Sequence, residues 1–187
     1  MRKRWLLLLL AVLFATALLM VERYTGELGI SVGSVSNAEP DYYGQQLQHR
    51  RYDVSGRLQQ TLLSQGSSHN PHTRQTHLEQ PVILTRDDQQ QTWRVSAADG
   101  YIGDGNSLIE LAGGVLVDSQ PTRANQQFLT ISTERLMYSP DDTTAWSDVP
   151  VHLNSNSGNS DAGGMKLDLN RQRLELTGKV STRYAKP

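Results

Sequence analysis

The strongest constraint in this chain is a pattern that repeats. From Trp93 to Val117 the sequence WRVSAADGYIGDGNSLIELAGGVLV alternates apolar and polar residues, breaks over a cluster of Gly, Asp and Asn, and alternates again through Ile109, Leu111, Val115 and Val117. Successive side chains of a strand point to opposite faces, so Trp93, Val95 and Ala97 share an apolar face while Arg94, Ser96 and Ala98 share the other. The stretch reads as strand, turn, strand, with Asp99-Gly100 and Asp104-Gly105-Asn106 as turn formers. The unit recurs: alternating openers at Leu58, Trp93, Leu129 and Met165 are 35, 36 and 36 residues apart. Each has a closer, EQPVIL around Val82, AGGVLV around Val115, DVPVHL around Val151 and TGKV at Val180. The segments IELAGGV and LELTGKV match at Leu111/Leu176, Gly113/Gly178 and Val115/Val180. A period of this kind points to stacked antiparallel β units, each burying its apolar face against the next, and hence to an all-β body.

Around these units the chain is polar. Residues 22–40 are rich in Gly and Ser and read as a linker, the alternative being a first strand through Ile30, Val32 and Val35. The β domain is expected over residues 41–187, with Ser55-Gly56 as a turn, residues 66–76 (GSSHNPHTRQT) as a polar loop and Pro81 marking an edge or bulge. Residues 154–164 (NSNSGNSDAGG) read as a flexible loop, and Asn170-Arg171-Gln172 as the turn of a last hairpin.

The N-terminus is of another kind. Residues 5–21, WLLLLLAVLFATALLMV, are 17 uncharged residues behind Arg2, Lys3 and Arg4. At about 1.5 Å per residue they span about 25 Å, within reach of a single membrane-crossing helix. The basic start predicts residues 1–4 in the cytoplasm and the body across the membrane. A cleaved signal peptide ending near Ala15-Thr16-Ala17 is the competing reading, although Leu18, Leu19, Met20 and Val21 extend the apolar run beyond that point. Either way the body is translocated. The chain has no cysteine, which leaves no disulfide framework and no thiolate chemistry. Outside residues 1–4 there are 15 Lys and Arg against 19 Asp and Glu, a balance that does not suit a nucleic-acid backbone.

Two facing antiparallel sheets with one greasy side each can enclose a trough for an apolar ligand or simply pack on one another, and periodicity does not separate the two. The inward set read from the alternation is Leu78, Val82, Leu84, Trp93, Val95, Ile109, Leu111, Val115, Leu129, Ile131, Tyr138, Val149, Val151, Leu167, Leu176 and Val180. His69, His72 and His77 lie close in sequence but around Pro71 and without a fixed ligand spacing, so no metal site is expected. No nucleophile-elbow, zincin or Walker pattern is present, and neither an enzyme nor a cofactor is expected.

The order of segments resembles the LptC family of lipopolysaccharide transport: a basic start and single span, then DVSGRL, QPVILT, WRVSA, LIELAGGVLV, LTIST, GMKLDL after a Gly-rich loop, and LELTGKVSTRY. The resemblance covers nearly the whole chain. It implies a twisted, elongated β-jelly-roll of two facing antiparallel sheets with an open edge, tethered to the inner membrane of a Gram-negative cell by residues 5–21 and facing the periplasm. It further implies a lipid-transfer role, accepting lipopolysaccharide from an inner-membrane ABC transporter and passing it to a periplasmic bridge protein of the same fold. By the same likeness the groove would be Leu78, Val82, Trp93, Val95, Ile109, Leu111, Val115, Leu129, Ile131, Tyr138, Val149, Leu167 and Leu176. The bridge would meet Leu174, Leu176, Val180 and Tyr184 at the C-terminal edge, and the transporter the N-terminal edge over residues 42–62. Leu78, Ala112 and Gly164 fall at groove or structural positions of the family's motifs; Ala112 is smaller than the aromatic residue expected there, and Gly163 and Gly164 would serve structure. The alternative is a membrane-tethered adaptor of an envelope complex with a solid core and no lipid cargo.

Overall fold

A computed structural model describes residues 5, 13–20, 39–87, 91–105, 107–120 and 128–184. The chain divides into two compact units, Met1–Glu39 and Pro40–Pro187. In the first, residues 13–20 are helical and exposed. No helix among the described residues is long and apolar enough to cross a membrane. The span expected over residues 5–21 is described only at Trp5 and residues 13–20. Residues 22–38 of the expected linker, with the alternative strand through Ile30, Val32 and Val35, lie outside the described residues.

Among the described residues the second unit holds fourteen strands: β1 (Tyr42–Tyr52), β2 (Leu58–Asn70), β3 (Gln75–Glu79), β4 (Val82–Arg86), β5 (Thr92–Ser96), β6 (Asp99–Gly103), β7 (Ile109–Gln120), β8 (Leu129–Ser139), β9 (Thr144–Ser147), β10 (Val151–Ser155), β11 (Gly158–Ala162), β12 (Gly164–Asp168), β13 (Arg173–Thr177) and β14 (Ser181–Tyr184). Every pairing is antiparallel and all fourteen belong to one hydrogen-bonded sheet. The registers show that this sheet is bent. β3 and β4 pair with the same strand, β2, in one continuous register, and β6 and β5 continue each other in the same way against β3 and β4. Likewise β9 and β10 both pair with β8, at its two ends. A line of irregular residues therefore runs across the sheet, through Gln46, Gln65, Gln80-Pro81, Ala97-Ala98, Gly113-Gly114, Glu134, residues 148–150, Gly163 and residues 178–180. On one side lies a half-sheet in the order β1, β2, β3, β6, β7, β8, β9, β12, β13; on the other, β1, β2, β4, β5, β7, β8, β10, β11, β14.

Local chemistry makes the bend. Gln46, Gln80, Gly113, Gly114 and Gly178, all on this line, have positive φ. At Gly113 (φ +78°) the geometry also excludes a side chain, because a Cβ would come within 2.9 Å of Ala98 Cβ. The closers of the sequence repeat are these crossings, with Gln80-Pro81, Gly113-Gly114, Val149-Pro150 and Gly178-Lys179 each placed just before a Val. The two half-sheets face each other across one core, whose members include Leu62, Leu78, Ile83, Val95, Leu111, Val117, Ile131, Leu136 and Met165. Full burial of each such side chain contributes about 1.5–3 kcal/mol, and this facing pair of apolar surfaces is what stabilises a sheet that neither half could maintain alone.

The structure corrects several readings of the alternation. Residues 66–70 are not loop but the second half of β2, and residues 158–162 form β11, paired with β10 from Val151↔Ala162 to Ser155↔Gly158. Their low apolar content reflects position: β11 lies next to the edge strand β14, where few side chains are covered. Asp99-Gly100 is strand, not turn, and Gly100 is buried with a would-be Cβ 3.0 Å from Pro81 Cγ. Val82 and Leu84 do not face the interior; Ile83 and Thr85 do. The cause is one residue of register. Between Glu79 and Val82 the crossing uses two residues, whereas β7 uses three between Ala112 and Leu116, so Val82 lines up with Ser96 and Leu116 on the outer face.

Candidate functional site

The space between the half-sheets is organised in rows. Across the second half-sheet, Leu62, Ile83, Val95, Val117, Ile131 and Leu153 are successive register partners and form one apolar row. Facing it, the first half-sheet carries Leu78, Gly100, Leu111 and Leu136 in one row and Ile102, Ile109, Tyr138, Ala145, Leu167 and Leu174 in the next, further from the bend. Leu78, Leu111, Ile131, Leu136 and Tyr138 are all 0 % exposed. The middle of the interior is therefore filled by side chains.

Space opens toward the C-terminal side. A cavity of about 270 Å³ is bounded by Trp93, Ser119, Leu129 and Ser155 from the second half-sheet and by Leu167 and Leu174 from the first, with Gln91, Phe128, Asn156, Ser157 and Gln172 at its rim. It abuts β13, which pairs with β12 alone, just as β14 pairs with β11 alone and β1 with β2 alone. Both lateral edges of the sheet are thus unpaired on one side among the described residues. All of β14 is exposed, Tyr184 at 82 %.

Polar groups fasten the rim opposite the bend. Asp87, between β4 and β5, is buried; its carboxylate accepts from Gln91 N at 2.8 Å, Trp93 Nε1 at 3.3 Å and, from the turn joining β12 to β13, Gln172 Nε2 at 2.8 Å. Further along, Arg51 of β1 donates to Asp141 in the β8–β9 turn at 2.6 Å, and Ser107 also donates to Asp141. These bonds, the Ser107 hydroxyl first and the guanidinium next, hold the Asp141 carboxyl below its ordinary range. Burial raises the pKa of the Tyr138 phenol, whose oxygen has no partner of ordinary hydrogen-bond geometry among the described residues.

At the N-terminal side, His69 faces inward with Asp41 Oδ1 2.7 Å from Nδ1 and Asp104 Oδ1 3.0 Å from Nε2, under the stacked ring of Tyr42 at 4.9 Å. The hydrogen bond to Asp41, aided by Asp104 and opposed by burial, raises its pKa. His77 instead faces outward against Asp99, and His72 sits in the β2–β3 turn, so the three histidines do not converge. No group of His, Cys, Asp or Glu among the described residues has the arrangement of a metal site.

Of the residues expected to line a groove, Trp93, Leu129 and Leu167 meet at the cavity, joined there by Leu174 from the expected partner edge. Leu78, Val95, Ile109, Leu111, Val115, Ile131 and Tyr138 lie in the packed middle. Leu176 is half-buried on β13 against the core, Val149 is half-buried at a crossing, Val180 follows the last crossing and is exposed, and Val82 faces away. Gly163 and Gly164 lie where β11 passes into β12, and a Cβ on Gly164 would be 2.7 Å from Ser147 O and 2.8 Å from Thr177 Oγ1. Phe128, Gln91, Gln172 and Asp87 carry no alternation signal, whereas Val117 and Leu136 belong to alternating stretches yet fall outside the inward set expected from the sequence; both are buried, Leu136 on the far side of the register change in β8.

Comparison with known proteins bears on this interior. The fold is similar to that of LptH, the LptA-homologous periplasmic component of the lipopolysaccharide transport device of Pseudomonas aeruginosa, with a TM-score of 0.50 at 8 % identity, over 75 % of this chain and 96 % of that one. At that identity the likeness concerns the fold alone. No curated sequence matches the chain. A family model described as lipopolysaccharide-assembly, LptC-related, matches residues 7–185. The chain belongs to the LptC-related family of lipopolysaccharide-assembly proteins.

Proposed function

We propose that the protein is a lipid-transfer component of lipopolysaccharide transport across the periplasm. It is held to the inner membrane of a Gram-negative cell by residues 5–21, takes lipopolysaccharide from an inner-membrane ABC transporter and passes it to a bridge protein of the same fold. The observation that carries this reading is a family match along nearly the whole chain, joined to an apolar interior that opens beside an unpaired edge. The physical rationale is simple. Exposing acyl chains to water costs about 0.8 kcal/mol per CH₂, so the chains must travel between apolar faces while the charged sugar part stays outside. The groove positions are those set out above with Val82 removed, and the cavity at Trp93, Leu129, Leu167 and Leu174 is the point of contact. Unpaired strands offer their backbone groups to a partner's strand, which suits relay between domains of one fold: β1 toward the transporter, β13 and β14 toward the bridge.

A second reading, a tethered adaptor without cargo, is favoured by one observation, the complete burial of Leu111 and Ile131 in the middle of the interior. Photocrosslinking separates the two. A photoreactive residue at Leu129 or Leu167 should capture lipopolysaccharide in cells, while one at the exposed Val54 should not; capture of protein alone at the inward positions would support the adaptor.

A further inference from the structure

We infer that the hydrogen bond between Asp87 and Gln172 is a latch on the mouth of the interior, and that an acyl chain enters when it opens. The inference rests on the proposed lipid-transfer role and adds to it the entry point and the residues that set its rate.

Three observations converge on this. First, the cavity beside the latch, at about 270 Å³, is smaller than the roughly 300–1,000 Å³ that encloses a small organic ligand. It takes the end of one hydrocarbon chain, and anything longer requires the half-sheets to part. Second, they are joined along a line that is suited to bending. Gly113, Gly114 and Gly178 hold the crossings there with positive φ, and the rim lies about six residues away, or roughly 20 Å along a strand. A pivot of about 10° would move that rim by about 3 Å, enough to break a single hydrogen bond and widen the cavity beneath it. Third, the bond joins the half-sheets themselves, across 85 residues of sequence, at the rim of the cavity: Asp87 from the β4–β5 connection, Gln172 from the β12–β13 turn, with the Trp93 indole bonded to the same carboxylate and lining the cavity wall.

The chemistry suits a latch better than a rivet. Asp87 is 3 % exposed and held by its own connection through Gln91, whereas Gln172 is exposed and reaches it by one amide. Opening exchanges that amide for water, which solvates the carboxylate, so the closed state is favoured by one hydrogen bond to a charged group, a factor of about ten or more in the opening equilibrium. The occupant is the end of an unbranched hydrocarbon chain of an acylated amphiphile: Trp93, Leu129, Leu167 and Leu174 supply apolar wall, the hydroxyls of Ser119 and Ser155 in that wall are engaged with the backbone, and the amides of Gln91, Asn156 and Gln172 at the rim suit the amphiphile's polar part.

The test follows uptake of fluorescently labelled lipopolysaccharide by the full-length protein in lipid nanodiscs. Gln172→Ala should raise the association rate about tenfold while the melting temperature falls by only about 3–6 °C, and Gln172→Glu, which sets a second carboxylate against Asp87, should raise the rate further. The chain has no cysteine, so Asp87→Cys with Gln172→Cys can be bridged by a short reductant-cleavable bis-thiosulfonate. The bridged protein should take up no probe until reductant is added. Wild-type rates in the Gln172 variants, or unhindered uptake by the bridged protein, would overturn the latch while leaving the lipid-transfer reading in place. If the wild type itself takes up no probe and the photocrosslinks capture none, the lipid-transfer reading fails and the latch with it.

Discussion

Leu111→Ala and Leu174→Ala together test whether the interior is packed in its middle and loose at its C-terminal side. Leu111 is 0 % exposed, and its strand is pinned on both sides, by Gly100 on β6 and Leu136 on β8. Neighbours fixed in this way cannot collapse into the space left by a truncated side chain, so the loss lies in the upper part of the range for Leu→Ala in a core, about 3–5 kcal/mol. Leu174 is half-buried, sits on an edge strand and already borders a cavity, so removing it enlarges existing space and costs about 1 kcal/mol. For a domain of this size 1 kcal/mol moves the melting temperature by about 2–4 °C, which predicts a fall of about 10 °C for Leu111→Ala and about 3 °C for Leu174→Ala. Thermal unfolding followed by tryptophan emission reads the difference, since Trp93 lies in the same interior and is 5 % exposed. Equal shifts for the two variants would refute the division into a filled centre and an open side.

Three further predictions concern other parts of the fold. Gly164→Val should destabilise strongly, by about 2–4 kcal/mol, because the new Cβ meets backbone oxygen on β9 and the Thr177 hydroxyl on β13, whereas Gly56→Ala, in an open turn at φ +80°, should cost only about 1 kcal/mol; comparable chemical-denaturation midpoints for the two would contradict the close approach at Gly164. His69 has a folded-state pKa raised above its unfolded value, so its stabilisation is fully present below about pH 6.5 and is lost as pH rises through the folded pKa; the melting temperature of wild type should fall over that interval relative to His69→Gln, and parallel pH profiles would remove Asp41 and Asp104 as its partners. Leu176→Arg on the edge strand β13 should weaken pull-down of the bridge protein while the far-ultraviolet dichroism stays native; undiminished capture would move the docking edge elsewhere.

How far these features could be read from the residues depends on distance along the chain. Alternation through Trp93, Val95, Leu111 and Leu167 gave strands and an inward face because period two is a local property. The repeat had a physical cause that composition only hinted at: its Gly, Gln-Pro and Val-Pro closers are where the strands cross from one half-sheet to the other. What alternation cannot show is how many residues each crossing uses. Two at Gln80-Pro81 against three after Ala112 turned Val82 outward and brought in Ile83. The polar strands over residues 66–70 and 158–162 carried no apolar signal, since their backbone pairing, not their side chains, commits them to the sheet. The fastenings at the rim, Asp87 with Gln172 and Arg51 with Asp141, join residues 85 and 90 apart and have no local trace at all.

A filled interior also fits a carrier when the energies are compared. Apolar faces held apart in water would lose about 25 cal/mol for each Å² exposed, so two such sheets close on each other wherever nothing else lies between them. An entering chain replaces side-chain contacts with hydrocarbon contacts of nearly equal worth, and the burial term largely cancels. What remains is the cost of parting the half-sheets: the hydrogen bonds at Asp87 and Asp141 and the bending of the crossings. That residue is small enough for a chain to pay on entry and regain on leaving, which is what transfer without a chemical step requires. On the proposed lipid-transfer role, control falls to the rim: substitutions there should change the barrier to entry, while substitutions at Leu111 or Ile131 should chiefly change the stability of the fold.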